Sequence, residues 1–160
     1  MKLVKTKKPV MASWIRELGH RLDAPPFLSG AIEARKAIES LPVRRDRLCE
    51  ATRNGIQGVF HAGRLKRVWA ADPVHGIPFL SGSDILQADF SNLPLFSRIA
   101  ANTFPKLFIE EGWTLISRSG TVGRLAYVRS DMAKCVCSED VLRVVPDTNK
   151  IPPGFLYAFL

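Results

Sequence analysis

Glu111-Gly112-Trp113-Thr114-Leu115-Ile116-Ser117-Arg118-Ser119-Gly120-Thr121-Val122-Gly123-Arg124-Leu125-Ala126-Tyr127-Val128 carries two short apolar runs around a glycine-rich centre. Trp113–Ile116 and Leu125–Val128 each have the length and the β-branched and aromatic content of a strand. Gly120-Thr121-Val122-Gly123 reads as the turn between them, its glycines supplying positive φ. The same centre has ligand chemistry. Glycines let backbone donors approach a ligand, Ser117, Ser119 and Thr121 offer hydroxyls, and Arg118 and Arg124 flank the loop. Such a loop suits a phosphate or a base edge. A nucleotide P-loop would need Lys-Ser or Lys-Thr after its last glycine, and Arg124-Leu125 stands there. A plain β-hairpin and an anion- or base-contacting loop both remain open.

The texture on either side is similar. Gly58–His61, Leu65–Trp69, Ile77–Leu80, Leu107–Ile109 and Val141–Val145 also suit short strands between glycine-marked breaks. A short helix is expected over Asp84–Leu86, and Pro94 argues against a continuous helix over Asp89–Ala101. Toward the N-terminus the period changes. Ser13–Leu22 places Trp14, Ile15, Leu18 and Leu22 on one helical face, ended by Pro25-Pro26. Ser29–Leu41 forms a second helix, capped by Ser29, with Ala34, Ala37, Ile38 and Leu41 as its apolar stripe and Glu33, Lys36 and Glu39 toward water. Pro152-Pro153 opens a last helix that stops on the apolar run Phe155–Leu160. These elements define an α/β (α+β) class with a curved mixed sheet and peripheral helices. Residues 1–12 form a basic arm, and residues 13–160 form most of one domain, incomplete at its C-terminal end.

Charge narrows the partners. The 160 residues carry 23 Lys and Arg against 15 Asp and Glu, a net charge of +8. A basic single domain attracts polyanions, because neutralised phosphates release counterions. The excess concentrates in residues 44–67, where Arg44, Arg45, Arg47, Arg53, Arg64, Lys66 and Arg67 face only Asp46 and Glu50. The planar arginine fork suits phosphate and guanine; a solvated surface with scattered ion pairs is the plain alternative. No run approaches the length of a membrane span, and no secretory signal follows the basic N-terminus, so the expected location is cytoplasmic and no membrane partner is expected.

Three cysteines without framework spacing argue for reduced thiols. Cys135 and Cys137 have no second close pair to complete a zinc site, Cys49 is distant, and His20, His61 and His75 stand alone. No metal and no cofactor are therefore expected, and the two thiols read as half-buried small hydrophobes on one strand face. His61 and His75 lack a nucleophile motif. Glu110-Glu111 and Glu139-Asp140 read as solvated turns. No catalytic set emerges, so the chain is expected not to be an enzyme.

Four stretches in order resemble the target-recognition domain of a type I restriction–modification specificity subunit. They are Arg21-Leu22-Asp23-Ala24, Gly76-Ile77-Pro78-Phe79-Leu80-Ser81-Gly82-Ser83-Asp84-Ile85, the 111–124 segment with its Ser-Gly-Thr-x-Gly turn, and Pro152-Pro153-Gly154-Phe155-Leu156-Tyr157. Trp113 departs from the acidic residue common in that family after the glycine. The likeness covers roughly residues 20–160. It implies a non-catalytic subunit that reads one half of a bipartite double-stranded DNA target in a phage-defence system. Its partners would be a DNA methyltransferase (modification) subunit and a restriction/translocase subunit. The chain would hold most of the first of two such domains, without the spacer helices. Charge, loop chemistry and motif position together nominate Arg64, Lys66, Arg67, Ser81, Ser83, Arg118, Ser119, Thr121 and Arg124 as DNA contacts. A protein-interaction module that binds a methyltransferase or another partner without reading DNA is the first rival. An enzyme holding a phosphate ester in the 117–124 loop is the second.

Overall fold

A computed structural model describes residues 12–17, 30–119 and 123–160. The chain divides into two compact units, Met1–Arg45 and Asp46–Leu160. In the first, helix α1 spans Ala12–Glu17 and helix α2 spans Ala31–Ser40. The Lys36 ammonium lies 5.8 Å from the Trp14 ring centre, a cation–π distance. The expected stripe of α2 is not buried. Ile32 is the buried residue, while Ala34, Ala37, Ile38 and Leu41 are exposed together with Glu33, Lys36 and Glu39. Gly30, in a left-handed conformation, occupies the N-cap position, and Ser29 lies outside the described residues.

The second unit is mixed α/β, the class expected from the sequence. Its strands are β1 (Val59–Phe60), β2 (Gly76–Leu80), β3 (Leu95–Ser97), β4 (Thr114–Ser117), β5 (Leu125–Tyr127), β6 (Val136–Cys137) and β7 (Val141–Val144). They form two sheets rather than one. The four-stranded sheet is antiparallel in the order β1-β7-β4-β5, and the three-stranded sheet is mixed in the order β3-β2-β6. Strands β2 and β6 are its parallel pair.

Period-2 alternation explains the division. In β2, Ile77 and Phe79 enter one cluster with Phe96, Ala101, Leu107 and Val136, whereas Leu80 enters another with Leu115, Ala126, Cys137 and Val141. A strand buried on both faces reads as an uninterrupted apolar run, and Gly76–Leu80 does so. The second cluster fills the space between the sheets. The outer face of the four-stranded sheet, with Thr114, Val144 and Tyr127, is covered by helix α4 (Pro153–Phe159). Its Leu156 is buried and its Tyr157 meets Tyr127 edge-on at 5.8 Å. Helix α3 (Arg98–Asn102) follows β3, so the segment over Asp89–Ala101 breaks near Pro94 into a strand and a helix.

Two expected strands are absent among the described residues. Leu65–Trp69 meets its neighbour through a single bridge, Trp69 to Phe96, with Ser97 N–H donating to the Val68 carbonyl. Pro105 opens a 3-10 turn through Leu107, leaving Phe108 one bridge to Val136. The cysteines are more deeply placed than expected. Cys135 and Cys137 are fully buried, and burial pushes their thiols up to about 11 and about 12. Both therefore stay protonated and inert. No helix among the described residues is long and apolar enough to cross a membrane.

The aromatic cluster is tight. Phe79, with 1% exposure, stacks on Phe96 at 5.6 Å, meets Trp69 edge-on at 5.2 Å and supports the Arg67 guanidinium at 5.3 Å. Phe79→Ala is expected to cost about 3–5 kcal/mol of unfolding free energy. Urea denaturation monitored by circular dichroism checks this; a loss below about 1 kcal/mol would contradict the packing.

Candidate functional site

Strand register brings several loops to one end of the second unit. Strands β4 and β7 are antiparallel with Ser117 opposite Val141, so β4 ends where β7 begins. Strand β5 starts there too, since Ile116 faces Leu125 and Ser117 N–H donates to the Arg124 carbonyl at 3.0 Å. Strand β1 runs toward the same end, with Phe60 opposite Arg143. The parallel pair β2–β6 delivers the segment after Leu80 there, because Ser138 N–H donates to the Leu80 carbonyl at 2.8 Å. The segments 61–67, 81–84, 117–119, 123–124 and 138–140 are therefore neighbours.

The 138–140 turn lies at the centre. Arg67 Nη2 stands 3.0 Å from Glu139 Oε1 and 3.8 Å from Asp140 Oδ2, and Arg118 Nη2 stands 3.7 Å from Asp140 Oδ1. The Arg118 N–H also donates to the Asp140 carbonyl at 2.9 Å. A cleft of about 300 Å³ opens beside them, lined by His61, Gly63, Arg64, Leu65, Arg118, Glu139 and Asp140. Partial burial raises the Glu139 pKa, but hydrogen bonds from its own N–H, Arg67 and Ser138 outweigh it and leave the carboxyl below its ordinary value. Glu139 and Asp140 are thus ion-pair partners of the arginines and not the merely solvated turn expected from sequence.

Of the nominated residues, Arg64, Arg67 and Arg118 converge on this turn. The 81–84 loop adjoins: a Cβ added at Gly82 would lie 3.2 Å from Ser117 Oγ. Ser81 is engaged internally, its N–H and hydroxyl both donating to Asp84 Oδ2 and its Oγ lying 2.8 Å from Ser83 Oγ. Ser83 and Ser119 are exposed. The Ser117 hydroxyl donates to the Ser119 carbonyl at 2.8 Å and shapes the start of the hairpin loop. Arg124 flanks the loop, half-buried, beside Gly123 with its φ of 87°. Lys66 is exposed on the same segment as Arg64 and makes no ion pair among the described residues. Thr121 lies outside the described residues. The basic 44–67 segment is not one surface. Arg53 N–H donates to the Val145 carbonyl at the far end of β7, and its side chain approaches Glu110 at 3.6 Å.

Arg143 is the residue that sequence reasoning missed. It points from β7 into the space between the sheets, fully buried. Its Nη1 donates to the carbonyls of Ser138 at 2.8 Å and Val141 at 2.6 Å, and its Nη2 to those of Cys137 and Leu107. Burial lowers its pKa, opposed by the Glu139 carboxylate. The available signal was strand phase: Arg143 lies midway between Val141 and Val145, both core residues.

No family model matches the chain, and no curated protein matches it.

Arg143 holds the 138–140 turn from beneath, and its acceptors are main-chain groups that no side-chain change can remove. Arg143→Met is expected to cost about 3 kcal/mol or more, since each buried carbonyl left unpaired costs roughly 1–3 kcal/mol. Chemical denaturation measures this; an unchanged midpoint would show that the turn does not need the guanidinium.

Proposed function

We propose that the loop cluster at this end of the second unit contacts duplex DNA, as part of a sequence-reading specificity subunit of a type I restriction–modification or related methylation-based defence system. The observation that carries this reading is the convergence of Arg64, Arg67 and Arg118 around one turn, with the Ser81–Ser83 loop and Ser117 alongside. Arginine forks and lysines hold phosphates, and loop hydroxyls and arginines reach base edges in a groove. In this role the chain itself catalyses nothing, and methyltransferase and restriction/translocase subunits act where it binds.

A second reading has its own support. Leu86, Phe155, Phe159 and Leu160 are exposed, and a groove of about 340 Å³ lies between Ile85, Leu125, Tyr127 and Tyr157. Exposed apolar surface of this kind fits a protein partner. Pull-down of a methyltransferase subunit without any DNA shift would favour that role.

The DNA reading is tested by fluorescence anisotropy with labelled duplex over a salt series. The logarithm of the binding constant should fall linearly with that of salt, by about 0.9 for each neutralised phosphate. Arg118→Ala should weaken binding by about 1–3 kcal/mol, with specificity relaxed at one position. Lys66→Ala should weaken all duplexes alike and reduce the slope by about one. Binding that ignores salt, or none at low salt, contradicts the reading.

A further inference from the structure

We infer that Glu139 and Asp140 are specificity-determining residues that keep Arg67 and Arg118 from bare backbone phosphate, and that the Arg118–Asp140 pair is complementary to a G·C base pair; this rests on the DNA reading above. The argument starts from occupancy. In the free protein Arg67 is 3.0 Å from Glu139, and Arg118 is 3.7 Å from Asp140. Arg67, hydrogen-bonded to Glu139, would exchange one charge-assisted contact for another on taking a phosphate, and Arg118, not hydrogen-bonded to Asp140 at 3.7 Å, would give up a Coulombic attraction. A phosphate that displaces either carboxylate also leaves an anion beside an anion, which disfavours the exchange. Arg64, Lys66 and Arg124 carry no carboxylate partner among the described residues and remain available to the backbone.

A base edge differs from a phosphate because it offers both signs. In the major groove a G·C pair presents the guanine O6 and N7 acceptors next to the cytosine N4 amino donor. The Arg118 fork matches the first and the Asp140 carboxylate the second, so neither partner is left unsatisfied. Asp140 is placed for this: its side chain is 41% exposed and lines the cleft with Arg118. Glu139, 16% exposed and hydrogen-bonded by Ser138, serves to hold Arg67.

The test uses the full chain and its Asp140→Asn variant, which keeps shape and removes charge. Binding to a duplex of random sequence is measured over a salt series, and a randomised duplex pool is then selected with each protein. Asp140→Asn should bind the random duplex about tenfold more tightly at about 50 mM salt, with a slope steeper by about one, as one more phosphate is neutralised. The unmodified protein should enrich G·C at a fixed position, and the variant should lose that enrichment. Should Asp140→Asn fail to fold by circular dichroism, Glu139→Gln, which frees Arg67, should show the same gain in affinity and slope. Unmodified protein that binds duplex while the folded variant binds equally or more weakly overturns this inference and leaves the DNA reading standing. Tighter binding by the variant without G·C enrichment by the unmodified protein overturns the base-pair assignment. No binding by either protein at low salt overturns the DNA reading and the inference with it.

Discussion

A single buried guanidinium organises the second unit. Arg143 leaves β7 on the face that packs against the three-stranded sheet, and collects carbonyls from the turn before β7, from the end of β6 and from the 3-10 turn at Leu107. An arginine stays charged at physiological pH, so its burial is tolerable only with several acceptors. Those acceptors belong to both sheets. The same group that joins the sheets therefore fixes the 138–140 turn. That turn in turn carries Glu139 and Asp140, which orient Arg67 and Arg118 above it. The surface cluster rests on the buried arginine, and each exposed ion pair by itself contributes little, about 0–1 kcal/mol.

The arrangement suits recognition better than simple attraction. A row of unopposed arginines would hold any polyanion. Here two of the three convergent arginines face carboxylates, while Arg64 faces none among the described residues. On the proposed DNA reading, affinity and selectivity fall to different side chains of one cluster. The loops come from six strand ends of two sheets, so their spacing is set by strand register and not by the loops themselves. Side chains on such a frame keep their positions while the loop tips vary.

Much of the frame was legible in the sequence. Strands β2, β4, β5 and β7 fall where short apolar runs lie between glycines, and Gly123 adopts the positive φ expected for the hairpin. The last helix begins at its prolines as read. What failed has a physical cause. Leu65–Trp69 has strand composition, but Phe79 draws Arg67 and Trp69 onto itself and only one bridge forms to β3. Leu95–Ser97 has too few residues to show a period, yet β2 supplies a pairing edge. In α2, helical spacing marked Ala34, Ile38 and Leu41 as core, and spacing carries no information about whether a partner covers that face. The convergence of Arg64, Arg67 and Arg118 was nominated by charge and loop chemistry. The Arg67–Glu139 pairing was not, because a contact across some seventy residues of sequence separation leaves no local pattern; Arg143 was overlooked although its strand phase sets it between the core residues Val141 and Val145.

Hydrogen–deuterium exchange of the full chain with and without duplex DNA tests the central claim most directly. Protection confined to 61–67, 81–84, 117–124 and 138–140, and absent around Arg53 and Glu110 at the far end of the sheet, is the result this account predicts. Protection centred on Arg53 and Glu110, or no change in the four loops at a DNA concentration that saturates binding, would contradict it.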